Sequence, residues 1–247
     1  MNDGSDSELA SRLATAAGRL LLSVRERYAV AEQSDRKAAG DRESHEYLMA
    51  ELTAARPADI VLSEEGRDDL SRLDAERVWI VDPLDGTREY SEFRDDWAVH
   101  VALWQAGELT AGAVALPAAD VTFATPAVQV PPASDGPPRM VVSRSRPPAW
   151  TDDVAGALGA EVLAMGSAGA KVMAIVQGIA EIYVHAGGQF EWDSAAPVAV
   201  ARAAGLHTSR IDGSPLRYNC RDLLLPDLVV CRPELADAVL AAVHTVR

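Results

Sequence analysis

Early in the chain, apolar side chains return every three or four positions, at Leu9, Leu13, Ala16, Leu20, Val24 and Tyr28. That spacing places them along one face of an α-helix. A second helix is predicted over residues 42–54. The pattern then changes. Ile60-Val61-Leu62 and Val78-Trp79-Ile80-Val81 are short, unbroken apolar runs bounded by polar and turn-forming residues, which reads as two buried strands. Residues 97–104 alternate only loosely and read as a third buried strand. Two more follow closely, at 109–116 and 121–125, predicting an antiparallel meander. The proline-dense stretch 131–138 is the clearest linker in the chain. Beyond it strands (140–143, 162–165, 181–185) alternate with helical stretches (152–158, 170–177, 198–204), and a last helix spans 233–246. The class is α/β: an α+β first half (1–130), a linker (131–138) and an α/β second half (139–247). No internal repeat is visible.

At 247 residues and 48% hydrophobic composition, the chain can bury a large core. Its formal charge of −14 repels phosphate polymers and gives no basic footprint for nucleic acid. No apolar run approaches the about 18 residues that a membrane span needs. The start, Asn2-Asp3-Gly4-Ser5-Asp6, is acidic and polar rather than a signal peptide. Cys220 and Cys231 form neither a disulfide framework nor a metal-ligand spacing. A cytoplasmic protein is the economical expectation. The histidines show no zinc spacing, and His100 and His185, in strand-like stretches, read as core or rim residues. Gly166-Ser167-Ala168-Gly169-Ala170-Lys171 lacks the Gly-Lys-Ser/Thr ending of a phosphate loop.

The chemistry concentrates where the strand at 78–81 runs into Asp82-Pro83-Leu84-Asp85-Gly86-Thr87. Two carboxylates at a strand end, with backbone donors just beyond, can hold hard cations against a phosphate. Asp, Pro and Gly are also ordinary turn residues. Two further acids bear on that choice. Glu64 follows the strand at 60–62, and Asp193 precedes the helical stretch at 198–204. Pro197 belongs near the first turn of a helix, so Asp193 sits at or next to that helix's N-terminus, as a cap or facing an ion. Each acid alone has a plain structural reading. Together, four carboxylates are enough for two or three Mg²⁺ ions sharing ligands.

Ser63-Glu64-Glu65, Asp82-Pro83-Leu84-Asp85-Gly86-Thr87 and Trp192-Asp193-Ser194-Ala195-Ala196, in that order, resemble the inositol monophosphatase family of Mg²⁺-dependent, lithium-sensitive phosphatases. Val142-Ser143-Arg144-Ser145-Arg146, the 166–171 segment and Gly213-Ser214-Pro215-Leu216-Arg217-Tyr218-Asn219 lean towards its CysQ-type 3′(2′),5′-bisphosphate nucleotidase branch. The resemblance implies a layered αβαβα sandwich with the metal site where the halves meet. It implies Mg²⁺ held by Glu64, Asp82, the carbonyl of Leu84, Asp85 and Asp193. Catalytic roles fall to Glu64, Thr87 and Asp41, with Glu64 and Thr87 orienting the attacking water. Substrate contacts fall to Asp85, Gly86, Thr87, Arg88, Arg144, Lys171 and Asp193, with Arg217 a further candidate. Asp41 lacks the Thr-x-x-Asp context and the Ser-Pro-Val of the family, so residues 33–41 depart from its pattern for a third ion. Asp41 also reads as an N-cap of the second helix. The implied reaction removes the 3′-phosphate of 3′-phosphoadenosine 5′-phosphate, or of 3′-phosphoadenosine 5′-phosphosulfate, in sulfur assimilation and nucleotide recycling. Inositol-1-phosphatase or fructose-1,6-bisphosphatase activity on the same site, and a non-catalytic metal-dependent ligand sensor, are the alternatives. The partner expected is a small phosphorylated metabolite, with no nucleic-acid polymer and no membrane; a homodimer is open to the chain.

Overall fold

Ser5 opens the first helix, α1 (Asp6–Arg27), with a capping box: its hydroxyl accepts from the Glu8 N–H at 3.2 Å while the Glu8 carboxylate accepts from the Ser5 N–H at 2.8 Å. In this computed structural model, which describes residues 4–133 and 135–246, the buried stripe of α1 is Leu9, Ala10, Leu13, Ala14, Ala17, Leu21 and Val24. Ala16, Leu20 and Tyr28 lie at its margin. Asn2 and Asp3 of the acidic start and Ser134 of the linker lie outside the described residues.

The second helix, α2 (Gln33–Ala55), begins well before the expected residue 42. Arg36 accounts for the difference. Its buried guanidinium donates to the carbonyls of Tyr28, Ala29, Ala31 and Ser91, satisfying the turn between the helices and anchoring a first turn that is polar in sequence. Asp41 is therefore inside a helix, and its reading as an N-cap is corrected.

The first sheet has the order β1-β2-β3-β4-β5, from β1 (Ile60–Ser63), β2 (Arg77–Asp85), β3 (Ala98–Gln105), β4 (Glu108–Leu116) and β5 (Val121–Ala124). β1 runs parallel to β2, and the others form the expected antiparallel meander. Its apolar runs are unbroken because both faces are covered. Trp79, Val81, Val99, Val101 and Leu103 point at α1 and α2; Val78, Ile80, Ala98 and Ala102 point into a central core.

The second sheet has the order β7-β6-β8-β10-β9, from β6 (Arg139–Ser143), β7 (Glu161–Met165), β8 (Ile182–Phe190), β9 (His207–Ser209) and β10 (Leu224–Cys231). Helices α4 (Thr151–Leu158) and α7 (Ala236–Val246) cover its outer face, with Val154, Val239 and Val243 packed on Val142, Val184 and Val229. Between the sheets lie α5 (Ala168–Val176) and α6 (Glu191–Ala203), whose side chains share one core with residues of both sheets. The result is the expected αβαβα sandwich. Among the described residues, no helix is long and apolar enough to cross a membrane.

Helix α6 starts at Glu191 rather than at 198, so Pro197 is within it, not at its first turn. Lacking an N–H, Pro197 leaves the Asp193 carbonyl without its helical donor. Gly112 on β4 lets α6 approach: a Cβ there would lie 2.5 Å from Ala199 Cβ and 3.2 Å from the Ala196 carbonyl. Gly112→Ala is expected to cost about 1–3 kcal/mol in urea unfolding. Gly156→Ala on α4, where nothing lies within 4 Å, should be neutral or gain up to about 1 kcal/mol. Equal midpoints for the two variants would contradict this packing.

Candidate active site

A strictly alternating strand would send Asp82 and Asp85, three positions apart, to opposite faces. β2 does not alternate there. Asp82 pairs with His100 and Asp85 with Ala98, so three steps on β2 oppose two on β3. This bulge turns both carboxylates to one side. The Asp82 carboxylate accepts from the Leu84 N–H at 3.0 Å, holding the Pro83-Leu84 kink. Gly86 (φ 87°) then makes the left-handed turn into α3 (Thr87–Ser91), and a Cβ on it would crowd Ser167, Trp97 and Asp96.

Asp193 comes from the opposite side, in the first turn of α6, where its carboxylate accepts from the Phe190 N–H at 2.6 Å. Oxygens of Asp82, Asp85 and Asp193 all lie within 4.8 Å of one another. Glu64, just past β1, joins them through a hydrogen bond between its carboxyl and that of Asp82. Such a bond needs a shared proton. Burial, then neighbouring negative charge, raises Asp82 well above the usual carboxylate range. Burial raises Glu64 to about 7 against the Asp82 bond, and burial with the Asp85 charge raises Asp193 to about 7.

Asp85 differs. Burial opposes its charge, but His100, the Ser167 hydroxyl and Lys171 outweigh it and hold the carboxyl down at about 2. Its Oδ2 accepts from Ser167 Oγ at 2.5 Å and the Gly169 N–H at 2.7 Å. His100 Nδ1 lies 3.1 Å from the Trp192 carbonyl, and its Nε2 sits 3.2 Å from the same Asp85 oxygen, off the line of a hydrogen bond. Buried Asp82 and Asp85, half-buried Asp193 and the more exposed Glu64 form an oxygen donor set that fits a hard divalent metal.

The carboxylates line one side of a cavity of about 560 Å³. Leu84, Gly86, Thr87, Arg88 and Lys171 line it as well. Lys171 is buried and donates to the carbonyls of Gly166 at 3.1 Å and Ser167 at 2.5 Å; burial lowers it to about 8 against the pull of Asp85. The Thr87 hydroxyl donates to the Leu84 carbonyl at 3.2 Å and touches the Asp41 carboxylate. Asp41 is raised to about 7 by burial and by Glu65, against Lys37 and Thr87.

Two arginines fall elsewhere. Arg144 is taken by Glu89 at 2.7 Å and Glu92 at 2.9 Å and is not in the cavity wall, where Ser143, Ser145 and Arg146 appear instead. Arg217 lines a separate cavity beside Arg210 and Cys220. Sequence reasoning missed Lys37, Arg146, Tyr183 and Gln189 as wall residues and took His100 and His185 for ordinary core or rim histidines. Tyr183 and His185 share one face of β8 by simple alternation, a signal that was available. The contact of His100 with Asp85 depends on the bulge, which alternation does not reveal.

The sequence profile of the inositol monophosphatase family matches residues 5–247. The chain belongs to that family. It is 51% identical over 237 residues to the 3′-phosphoadenosine 5′-phosphate phosphatase of Mycobacterium tuberculosis, covering 92% of this chain and 89% of that protein. It is 31% identical to the 3′(2′),5′-bisphosphate nucleotidase CysQ of Escherichia coli over 199 residues, 76% of this chain and 81% of that one. The crystal structure of CysQ from Bacteroides thetaiotaomicron, a bacterial member of the same family at 28% identity, superposes with a TM-score of 0.77 over 92% of this chain and 97% of the other. Enzymes of the inositol monophosphatase family are metal-dependent phosphatases, and the acidic cluster is where this member's metal would be held.

Proposed function

We propose that this chain is a Mg²⁺-dependent phosphatase that hydrolyses the 3′-phosphate of 3′-phosphoadenosine 5′-phosphate, giving AMP and orthophosphate. The observation that carries the reading is the meeting of Glu64, Asp82 and Asp85 with Asp193 at a cavity that also bears Lys171 and Arg146. The relatives at 51% and 31% identity support the nucleotide over other phosphate esters.

Glu64, Asp82, Asp85, Asp193 and the Leu84 carbonyl would hold two or three Mg²⁺ ions. When bound, Mg²⁺ supplies positive charge against the phosphate and acidifies water. The protein's own groups do the rest. Thr87 and Glu64 orient the attacking water in line with the scissile bond. Asp41, raised to about 7 and touching Thr87, takes up a proton relayed through Thr87 Oγ1 near neutral pH. The N–H groups of Gly86 and Thr87, with Arg88, receive the phosphate oxygens, and Lys171 and Arg146 offset charge elsewhere on the ligand. Residues 1–130 and 139–247 act as two subdomains that each bring part of this set. The free cysteines, Cys220 and Cys231, support a cytoplasmic location.

The test is phosphate release with Mg²⁺ from 3′-phosphoadenosine 5′-phosphate, fructose-1,6-bisphosphate and inositol 1-phosphate, with and without lithium. The nucleotide is expected to give the highest kcat/KM, with inhibition by lithium. A higher value for either other ester overturns the substrate, and no turnover on any favours a metal-dependent sensor.

A further inference from the structure

His185 and Gln189 line the cavity, and each carries a buried polar atom without a hydrogen-bond partner, Nδ1 and Oε1 respectively. The two residues are only 6% and 5% exposed. Leaving such atoms unmatched costs about 1–3 kcal/mol each, so a wall that carries two of them is built to meet something.

The chemistry of each atom follows from its neighbours. His185 Nε2 lies 2.8 Å from the Gly187 carbonyl, which can only accept, so Nε2 carries the hydrogen and Nδ1 presents a lone pair. Burial, with Lys171 and Arg146 nearby, lowers His185 to about 4, which keeps the ring neutral and Nδ1 an acceptor at neutral pH. Gln189 Nε2 donates to the Tyr183 hydroxyl at 3.0 Å, and in this arrangement Oε1 is an acceptor as well. Gly187 and Gly188, both at positive φ, carry β8 round between the two side chains. Lone pairs repel phosphate oxygens. The cations Lys171 and Arg146 suit those, and the acceptors suit an uncharged O–H or N–H.

We infer that His185 and Gln189 form an acceptor pair that selects the substrate by a hydrogen-bond donor on its alcohol half, a sugar hydroxyl or a base amino group. The inference rests on the phosphatase reading above and deepens it. A ligand lacking the donor leaves both acceptors unpaired, and sites of that kind discriminate strongly.

The test compares kcat/KM for 3′-phosphoadenosine 5′-phosphate with that for its 2′-deoxy analogue, lacking the hydroxyl, and its purine analogue, lacking the amino group. The parent protein should disfavour one analogue by about 10–100-fold, and which one identifies the donor. In His185→Phe and Gln189→Met, which keep bulk and lose the acceptor, the ratio should fall below about threefold. His185→Asn, which restores an acceptor near the Nδ1 position, should recover part of it. Because the readout is a ratio, a general loss of activity does not imitate the result. A ratio that persists in both variants, or no discrimination in the parent protein, overturns the inference. Where His185→Phe fails to fold by circular dichroism, Gln189→Met and His185→Asn decide. Should the parent protein not turn over the nucleotide at all, the phosphatase reading falls by itself. Calorimetric binding of adenosine against 2′-deoxyadenosine and purine riboside then decides the acceptor pair, by the same loss of preference in the variants.

Discussion

Asp85→Asn is expected to abolish phosphate release while leaving the fold in place. The Ser167 hydroxyl and the Gly169 N–H both donate to one Asp85 oxygen, and an asparagine carbonyl oxygen can accept both. That arrangement turns the new amide NH₂ towards Asp82 and Asp193, where a cation's ligand is needed. A donor replaces an acceptor at the centre of the carboxylate set, with no change in volume. His100 and Lys171 lose a charged neighbour, but Asp82 and Asp193 lose a repulsive one, so the net effect on stability is small. We expect kcat to fall at least about 10³-fold, about 4 kcal/mol of barrier. Circular dichroism should be unchanged and the heat of Mg²⁺ binding lost. Full activity in this variant would refute the metal assignment.

The second large effect is on stability. Without Mg²⁺, the protein should become more stable as the pH falls from 8 to 6.5. Glu64 and Asp193 are raised to about 7 in the folded chain, and Asp82 is raised well above its ordinary value, against 4.5 and 3.8 for free Glu and Asp. Between those limits the native state holds protons that the unfolded chain releases. Unfolding then sheds protons, and stability falls as the pH rises through the folded values. Asp41 and Glu191, both raised to about 7 first by burial, add to the same trend. Groups with the opposite sign act mainly outside this range. Asp85 contributes stability that is lost only as the pH falls towards 2, and the lowered His185 acts chiefly below 6.5. Lys171, lowered to about 8 by burial, offsets part of the trend only at its upper edge. The size is on the order of 1 kcal/mol per buried group for each pH unit crossed, and less for Glu64, whose exposure lets solvent screen its charge. Mg²⁺ competes with these protons, so its stabilisation should be greatest at pH 8 and shrink towards 6.5. Calorimetric Tm values across this range, in EDTA and in saturating Mg²⁺, check both statements. A metal-free Tm that is flat or rises with pH would contradict the protonated cluster.

The elements legible in the sequence were those whose burial is simple. The unbroken runs in β2 and β3, and the three-and-four spacing of α1, follow from what covers them. The start of α2 was hidden because its anchor, Arg36, acts through distant carbonyls rather than through an apolar face. β10 was hidden because Pro226 and Asp227 look like a turn; they form a bulge, and the Asp227 carboxylate is held by Arg210 and by the Ile211 N–H. Asp82, Asp85, Glu64 and Asp193 could be picked out because carboxylates after strands and before helices are conspicuous. Choosing between Arg144 and Arg146 required knowing where Glu89 and Glu92 lie, which no local pattern contains.

The floor of the site draws on Asp85 and on Asp193, which stand on elements separated by three strands of the first sheet, the linker and the run from β6 to β8. During synthesis the earlier carboxylates are in place long before the last one is made. A nascent chain ending before α6 would have a finished meander and no enzyme. Turnover thus reports the docking of α6 between the sheets, and any change that loosens that docking should silence the protein before it unfolds it.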